Sequence, residues 1–495
     1  MLAASSARNS VRLGPQQQRC TARRSRVVAH AGAAAAPSQR PAAAAPAMLP
    51  AQPSLLPSLR EARGCIPPPA EGERFDVPHA SPALHFVPHG PWTEVAGGVC
   101  APMGFSAEGL HAGLCPTSRR ADAALLCSDR PAATAGHFSA NVLAGASVAL
   151  SSGRIDHHQQ GRAILMHHSA ANVGTGHEGA VDAQQVCAAA AAALGVPAEH
   201  VLLQSAGSLG QRLPLDRLLP ALPVLASQLG ASAEQAFHAA VAMTDRDSTT
   251  KEAALEVALG GLSSVRLGGM AHASPSGVQA AITCDAAVHP GVRRAMFARA
   301  AADSFGLLAL CEGACLNDSV LSLANGAARN PPVLEPTGAA AVRLEAALTA
   351  LMQGLAKAVA WDTSRAGCLF EVAVHGADST EAARQVALAV ARSGAVRDDV
   401  RACRPSWGAI ACALGASGVP FCPSEVAISI AGMPLLHHGR PSADLAAAQQ
   451  YASEALHYAS ARRSQITVSV RIGAGKKSAA AWAFDWAAGD GGCPF

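Results

Sequence analysis

The side chains with the most chemical potential are histidines, cysteines and a few hydroxyls, and their spacing limits what they can do. The 19 histidines include adjacent pairs at His157-His158, His167-His168 and His437-His438. Neighbours on a strand face opposite ways, so such a pair does not converge on one metal. Zinc prefers spaced ligands joined by cysteine or carboxylate. The 14 cysteines contain no CxxC pair. They stand singly, as at Cys127, Cys187, Cys284, Cys368 and Cys412, with Cys311 and Cys315 the closest together. That is the usage of small buried residues in a reducing compartment rather than of a disulfide framework. Ser274-Pro275-Ser276-Gly277 offers two hydroxyls, but the tetrapeptide is a common turn sequence. There is no Gly-x-Ser-x-Gly elbow and no P-loop, so neither a hydrolase nor a nucleotide cofactor is indicated. No cofactor or metal is expected.

The elements that must position these residues follow from composition and periodicity. Half of the 495 residues are hydrophobic and 15% are charged, which supports a sizeable core and two or three domains. The net charge of +3 makes no case for nucleic acid or an anionic membrane as partner. No run of bulky apolar residues is long enough to cross a bilayer. The first sixty residues contain neither Asp nor Glu but carry Arg8, Arg12, Arg19, Arg23, Arg24 and Arg26 among Ser, Ala and Gln. This is the composition of an organellar transit peptide, assigned to residues 1–31. Prolines from 37 to 69 then mark a disordered linker over 32–90. Beyond it, Ala123–Cys127 and Ala163–Met166 read as buried strands. Asp182–Leu194 reads as a helix stopped by Gly195-Val196-Pro197. Leu344, Leu348, Leu351, Leu355 and Val359 predict an amphipathic helix over 340–360. Phe370–Val374 reads as a strand, and Asp378 with Glu381 as a capping box opening a helix to Arg392. Val426, Ile428 and Ile430 alternate, as do Ile466, Val468, Val470 and Ile472, so both are half-buried strands. The class is α/β (α+β).

Collinear segments carry a resemblance. They run from Gly97-Gly98-Val99-Cys100-Ala101-Pro102-Met103-Gly104-Phe105 through Ser128-Asp129, Asn141, Asn172 and Thr175-Gly176. They continue with Ser205-Ala206-Gly207-Ser208-Leu209-Gly210, Ile282-Thr283-Cys284-Asp285-Ala286, Asn317-Asp318-Ser319-Val320, Asn325-Gly326, Trp407-Gly408, Gly415 and Ala481-Trp482. In this order, from about Gly97 to Asp485, the chain resembles the ornithine acetyltransferase family of arginine biosynthesis. The resemblance implies a layered α-β-β-α core with a smaller C-terminal domain. It implies transfer of acetyl from N-acetylornithine to glutamate. It also implies self-cleavage at an Ala-Thr bond, which would divide this chain into segments 91–276 and 277–495. The freed threonine is then the nucleophile, with its own α-amine as base, and a Thr-Gly pair supplies the oxyanion donors.

Carried over residue by residue, that chemistry is mostly missing. Counting back from Asp285, the nucleophile position is Gly277, in a segment shorter than the family's. Ser276 is the nearest hydroxyl and would need a shift of register, although a misplacement of about 1 Å can cost about 100-fold in rate. The alternative reading of Ser274–Gly277 is a short solvated turn. The oxyanion pair is Ala206-Gly207, where Gly207 is retained and the threonine is not. Lys251 is kept as a substrate-binding residue, after an altered Asp245-Arg246-Asp247-Ser248-Thr249-Thr250. The substrate glutamate is replaced in Asp362-Thr363-Ser364-Arg365, and the family's closing tail is absent from Gly489–Phe495. His167 and His168 stand where the family has its Asn-Ser loop. The expectation is a catalytically released homologue in the plastid, or alternatively the mitochondrion, acting as a folded partner in a homo- or hetero-oligomer. Two alternatives stand beside it: an active enzyme using Ser276, and a sensor binding an amino acid or acetylated amino acid in a remodelled pocket.

Overall fold

The computed structural model describes residues 83–484 apart from 116–119, 245–248, 275, 312 and 364–367. The transit peptide, most of the linker, Asp245–Ser248, Ser364–Gly367 and the tail from Asp485 lie outside the described residues. The end of the linker departs from expectation. Ala83–Phe86 forms a 3-10 turn, and Ala83 and Val87 are buried. The reason is local composition: Ala83, Leu84, Phe86 and Val87 supply an apolar patch to the main core.

The first part of the chain builds one nine-stranded sheet with helices on both sides. Its strands are β1 (Trp92–Glu94), β2 (Phe105–Leu110) and β3 (Ala123–Phe138). Then come α1 (Ala146–His158), β4 (Gln160–Ala170), α2 (Gly176–Leu194), β5 (Val201–Ser208), α3 (Leu215–Gln228) and α4 (Ala233–Ala242). β6 (Glu252–Gly260), β7 (Ser263–Ser274), β8 (Gly277–Cys284), α5 (Pro290–Ala302), β9 (Ser319–Ala324) and α6 (Ala339–Thr363) complete it. The order is β1-β6-β7-β8-β9-β3-β4-β5, with β2 on β3. Ala123–Cys127 is thus the first part of a longer strand. Ser128–Pro131 interrupts the ladder to β4 as a bulge rather than ending the strand. Pro131 has no N–H to give the ladder, which is why it sits there. Past the bulge, Ala132 and Ala133 still pair with β4, and Ala133–Phe138 takes β9 as neighbour on the side that β2 occupies along Ala123–Ser128.

Alternate side chains show how the layers stack. Leu125, Leu165 and Leu203 pack against α2 and α3, whereas Leu126, Ile164 and Leu202 join Met270, Ala281 and Leu321 in an inner core. Leu267, Val278, Ala280 and Ile282 face the opposite way, onto α5 and α6. The sheet therefore folds back on itself: α2 and α3, β3–β5, β7–β9, then α5 and α6. The side chain of Gln204 on β5 donates to the carbonyls of Ala280 on β8 (3.1 Å) and Ser319 on β9 (2.7 Å), strands well separated in sheet order. This is the expected α-β-β-α arrangement. The predicted 340–360 helix is α6, and all five of its periodic positions are fully buried.

The second part has its own sheet and core. β10 (Leu369–Ala377), α7 (Thr380–Arg392), α8 (Gly394–Arg401), α9 (Trp407–Gly415), β11 (Ala427–Ile430), β12 (Met433–His437), β13 (Arg440–Pro441), α10 (Leu445–Ala461), β14 (Gln465–Arg471) and β15 (Lys477–Phe484) follow in order. The sheet runs β13-β12-β11-β14-β10-β15. Both alternating segments are strands with their apolar residues in this core. The cap of α7 is Ser379, which accepts from the Ala382 N–H at 3.1 Å, and not Asp378. A serine hydroxyl one residue nearer the helix serves the same orphan N–H.

Candidate functional site

Stretches around Gly145, Ala171, Ser205 and Asn317, far apart in sequence, are joined to one another at the β7–β8 turn. β7 and β8 pair residue for residue up to Ser274 opposite Gly277, so the chain reverses within two residues. This turn is not solvated. Ser274 and Ser276 are 4% and 1% exposed, and Gly277 is buried, which overturns the reading of a short solvated turn. The physical reason is the α-β-β-α stack, which places this end of the hairpin between the 316–318 stretch and the end of β5. The two hydroxyls satisfy each other at 2.9 Å. Ser274 Oγ also accepts the Ser276 N–H (3.2 Å) and donates to the Gly277 carbonyl (3.1 Å).

Asn317 ties this turn to the rest of the site. Its N–H donates to the Ser276 carbonyl at 2.8 Å. Its side-chain amide donates to the carbonyls of Ala171 (2.7 Å) and Ser205 (2.9 Å). Its Oδ1 accepts from the Gly145 N–H (3.1 Å), and its carbonyl from Gln279 Nε2 (3.2 Å). Both side-chain N–H groups and both oxygens of this buried residue are thus engaged. Asp318, next in sequence, accepts from the Val278 N–H at 2.8 Å. Burial raises its carboxyl above the usual range.

At position 277, where the family resemblance puts the nucleophile, the backbone has φ +142°. A Cβ built there would lie 2.5 Å from Asp318 Oδ1, 2.8 Å from its nitrogen and 3.1 Å from the Asn317 carbonyl carbon. Only a residue without a side chain fits. Ser276 has a hydroxyl, but in the uncut chain its nitrogen is an amide bonded to Ser274 Oγ rather than a free amine. Gly207 is the last residue but one of β5, so the expected oxyanion loop is a strand end. It pairs with Ser169 of β4. With φ +120°, a Cβ there would meet the Ser169 carbonyl at 2.3 Å. Gly207 is therefore explained by close strand approach as well as by any donor role.

Lys251 lies just before β6, beside Ala271 of β7, whose N–H donates to the Lys251 carbonyl at 2.9 Å. At about 3.3 Å per residue, Ser274 lies roughly 10 Å further along the strand. The Lys251 ammonium is 2.7 Å from Asp362 Oδ2, and both side chains have zero exposure. It also donates to the Thr249 carbonyl at 3.0 Å. The structure thus pairs the retained lysine with the first residue of the altered substrate stretch, at the C-terminal end of α6.

The sequence reading did not find one further contact. His167 Nε2 lies 2.9 Å from Ser205 Oγ, because β4 and β5 run parallel with these two residues in register. Burial, then the charge of His168, push the His167 imidazole down to about 3, so it is neutral at physiological pH. His168 points elsewhere, with Nε2 3.3 Å from the Ala121 carbonyl. The adjacent histidines thus serve two environments. His157 and His158 end α1 rather than a strand, and the His437 and His438 rings meet edge to face with centroids 4.2 Å apart.

The fold and this seam define a layered α-β-β-α protein whose candidate site is the hairpin between its two β layers. A family model described as the ArgJ family matches residues 106–489, and the chain belongs to that family. It is similar to the arginine biosynthesis bifunctional protein ArgJ, chloroplastic, of Ostreococcus lucimarinus, with 36% identity over 421 residues, 83% of this chain and 90% of the relative. Arginine biosynthesis bifunctional protein ArgJ of Thermosynechococcus vestitus is 40% identical over 407 residues, 80% of this chain and 96% of the relative. Among solved structures, the argJ protein of Bacillus halodurans aligns at 25% identity and TM-score 0.34, covering 37% of this chain and 94% of that one.

Proposed function

We propose that this chain has given up acetyl transfer and serves arginine biosynthesis as a folded, non-catalytic partner in the plastid. The observation that carries the reading is position 277. The residue aligned with the nucleophile is a glycine at φ +142°, with Asp318 packed where a side chain would begin. A family nucleophile needs a hydroxyl-bearing side chain there, and its Cβ cannot be accommodated without moving Asp318. Two further features support it. Lys251 is committed to Asp362 in a dry ion pair rather than held open for a substrate carboxylate. Ala206 supplies no hydroxyl beside Gly207. The plastid assignment rests on the basic, acid-free leader and on plant and algal relatives named chloroplastic.

The test is the intact mass of the purified protein, together with complementation of a cell lacking the acetyltransferase. One uncut chain and no growth without arginine are expected. Two fragments, the second beginning at Ser276, or growth without arginine, would overturn the reading. The partner role is tested by co-purification from the native organelle. Recovery of an arginine-pathway protein supports it, and its absence counts against it.

A further inference from the structure

The stretch leading into β9 carries a thiol pair that the site's chemistry does not use. Cys311 and Cys315 sulfurs lie 3.2 Å apart, and both residues are partly exposed. A disulfide is about 2.0 Å long, so closure needs the sulfurs to approach by only about 1 Å. The environment separates them from the buried cysteines. Burial pushes the thiols of Cys100, Cys187 and Cys284 up to about 12, 11 and 11. Cys311 moves the other way, down to about 7, chiefly through its hydrogen bond with Cys315. A thiol whose pKa lies near the ambient pH is the best placed to attack a disulfide.

We propose that Cys311 and Cys315 are a redox modification site, closing to an intramolecular disulfide that acts on the segment holding the β7–β8 turn. The Cys311 thiolate attacks one sulfur of an oxidant disulfide, such as glutathione disulfide, and expels one thiolate. With Cys311 taken up in the mixed disulfide, the Cys315 S–H turns to its other partner, the Asp318 carboxylate, and gives it its proton. Its thiolate then attacks the Cys311 sulfur of the mixed disulfide and expels the second thiolate, which takes the proton from Asp318. Two protein thiols become a disulfide as one oxidant disulfide becomes two thiols.

The consequence is carried by Asp318 and the Cys315 backbone. Closure removes the Cys315 S–H that Asp318 accepts, and Asp318 is the residue that holds the Val278 N–H at the start of β8. The Cys315 carbonyl accepts from the Ser139 hydroxyl, and the Ala314 carbonyl from Asn141 Nδ2. Two residues on, Asn317 binds Ser276 and Ser205. Ring closure therefore pulls on a backbone stretch tied to both β layers.

The full chain is incubated with glutathione disulfide, alkylated, digested and analysed by mass spectrometry, with exposed Cys412 and Cys422 as internal controls. The expected product is a Cys311–Cys315 disulfide, lighter by two hydrogens and reversed by dithiothreitol, formed before the controls carry glutathione. Cys315→Ser should keep glutathione on Cys311, and Cys311→Ser should lose the fast reaction, with melting curves confirming that both variants fold. Hydrogen exchange at the Val278 amide should quicken about tenfold on oxidation of the wild type and not in either variant, as loss of support for a charge-assisted hydrogen bond requires. If both thiols are still alkylated after the controls have reacted, the site is refuted. If the disulfide forms and Val278 exchange is unchanged, its action on the turn is refuted.

Discussion

Restoring the family's hydroxyl at position 277 should damage this protein rather than revive it. In Gly277→Thr the new Cβ arrives 2.5 Å from Asp318 Oδ1 and 2.8 Å from Asp318 N, and the second contact is backbone that cannot rotate away. A side chain held at φ +142° costs about 1–3 kcal/mol in backbone strain. Displacing Asp318 also breaks its bond to the Val278 N–H, and a hydrogen bond to a charged group contributes about 1.5–3 kcal/mol. Together the loss is about 3–6 kcal/mol, enough to lower the melting temperature by on the order of 10 °C. Gly277→Ala should lose nearly as much, since the clash begins at Cβ. Gly153 is the control: it lies inside α1 with nothing within 4 Å of a built Cβ, so Gly153→Ala should gain about 0.5–1 kcal/mol. The assay is urea and thermal unfolding, with a denaturing gel for self-cleavage. A Gly277→Thr protein that melts with the wild type, or that cuts itself on the N-terminal side of the introduced threonine, would refute the reasoning.

Three other outcomes follow from the same contacts. Asp362→Asn should cost about 3–5 kcal/mol by leaving the Lys251 charge buried, whereas Lys251→Met with Asp362→Leu should cost much less; urea titration of the single and double variants measures the difference. Glu252, whose carboxyl burial pushes up to about 7, makes stability depend on pH. Its folded pKa exceeds the unfolded value, so its contribution is present below about pH 4.5 and is lost as pH rises to about 7, with a ceiling of about 3 kcal/mol. Glu252→Gln should flatten that part of the profile in melts from pH 4 to 8. Asn317→Ala removes the links to Ala171, Ser205 and Gly145 while its backbone N–H still reaches Ser276. It should cost about 2–4 kcal/mol in urea unfolding, since buried carbonyls lose their donors.

Periodicity and punctuation exposed much of the fold, and failed where tertiary partners decide. The leucine spacing of α6 and the alternation in β11 and β14 are set by a single buried face, which a sequence displays directly. α2 begins at Gly176, six residues before the expected start, because a glycine-rich opening gives no propensity signal. The length of β3 was hidden because Pro131 reads as a stop, whereas the strand runs on past its bulge by exchanging β2 for β9 as a neighbour. At the site, counting back from Asp285 pointed to Gly277 as the nucleophile position. That Gly277 is obligatory was not visible, since the obstruction is Asp318, forty-one positions away in sequence. The His167–Ser205 contact depends on parallel register, and the Lys251–Asp362 pair on where α6 ends, and neither leaves a mark in linear spacing. The solvated reading of Ser-Pro-Ser-Gly failed for a related reason: turn residues usually lie on the surface, but this turn is covered by Asn317 and the end of β5.

The polar residues of this seam hold the scaffold together without calling on a reacting group. A sheet folded back on itself must join two β layers whose ladders run separately, and carbonyls at the join need donors. Gln204 supplies them for Ala280 and Ser319, and Asn317 for Ala171 and Ser205. These bonds depend on backbone positions, not on a reacting group at 277. Stability alone is therefore reason enough for Asn317, Gln204 and Gly207 to stand where they do. Polar residues with such structural partners are, on this view, poor evidence of activity by themselves, and the informative positions are those where a side chain does not fit.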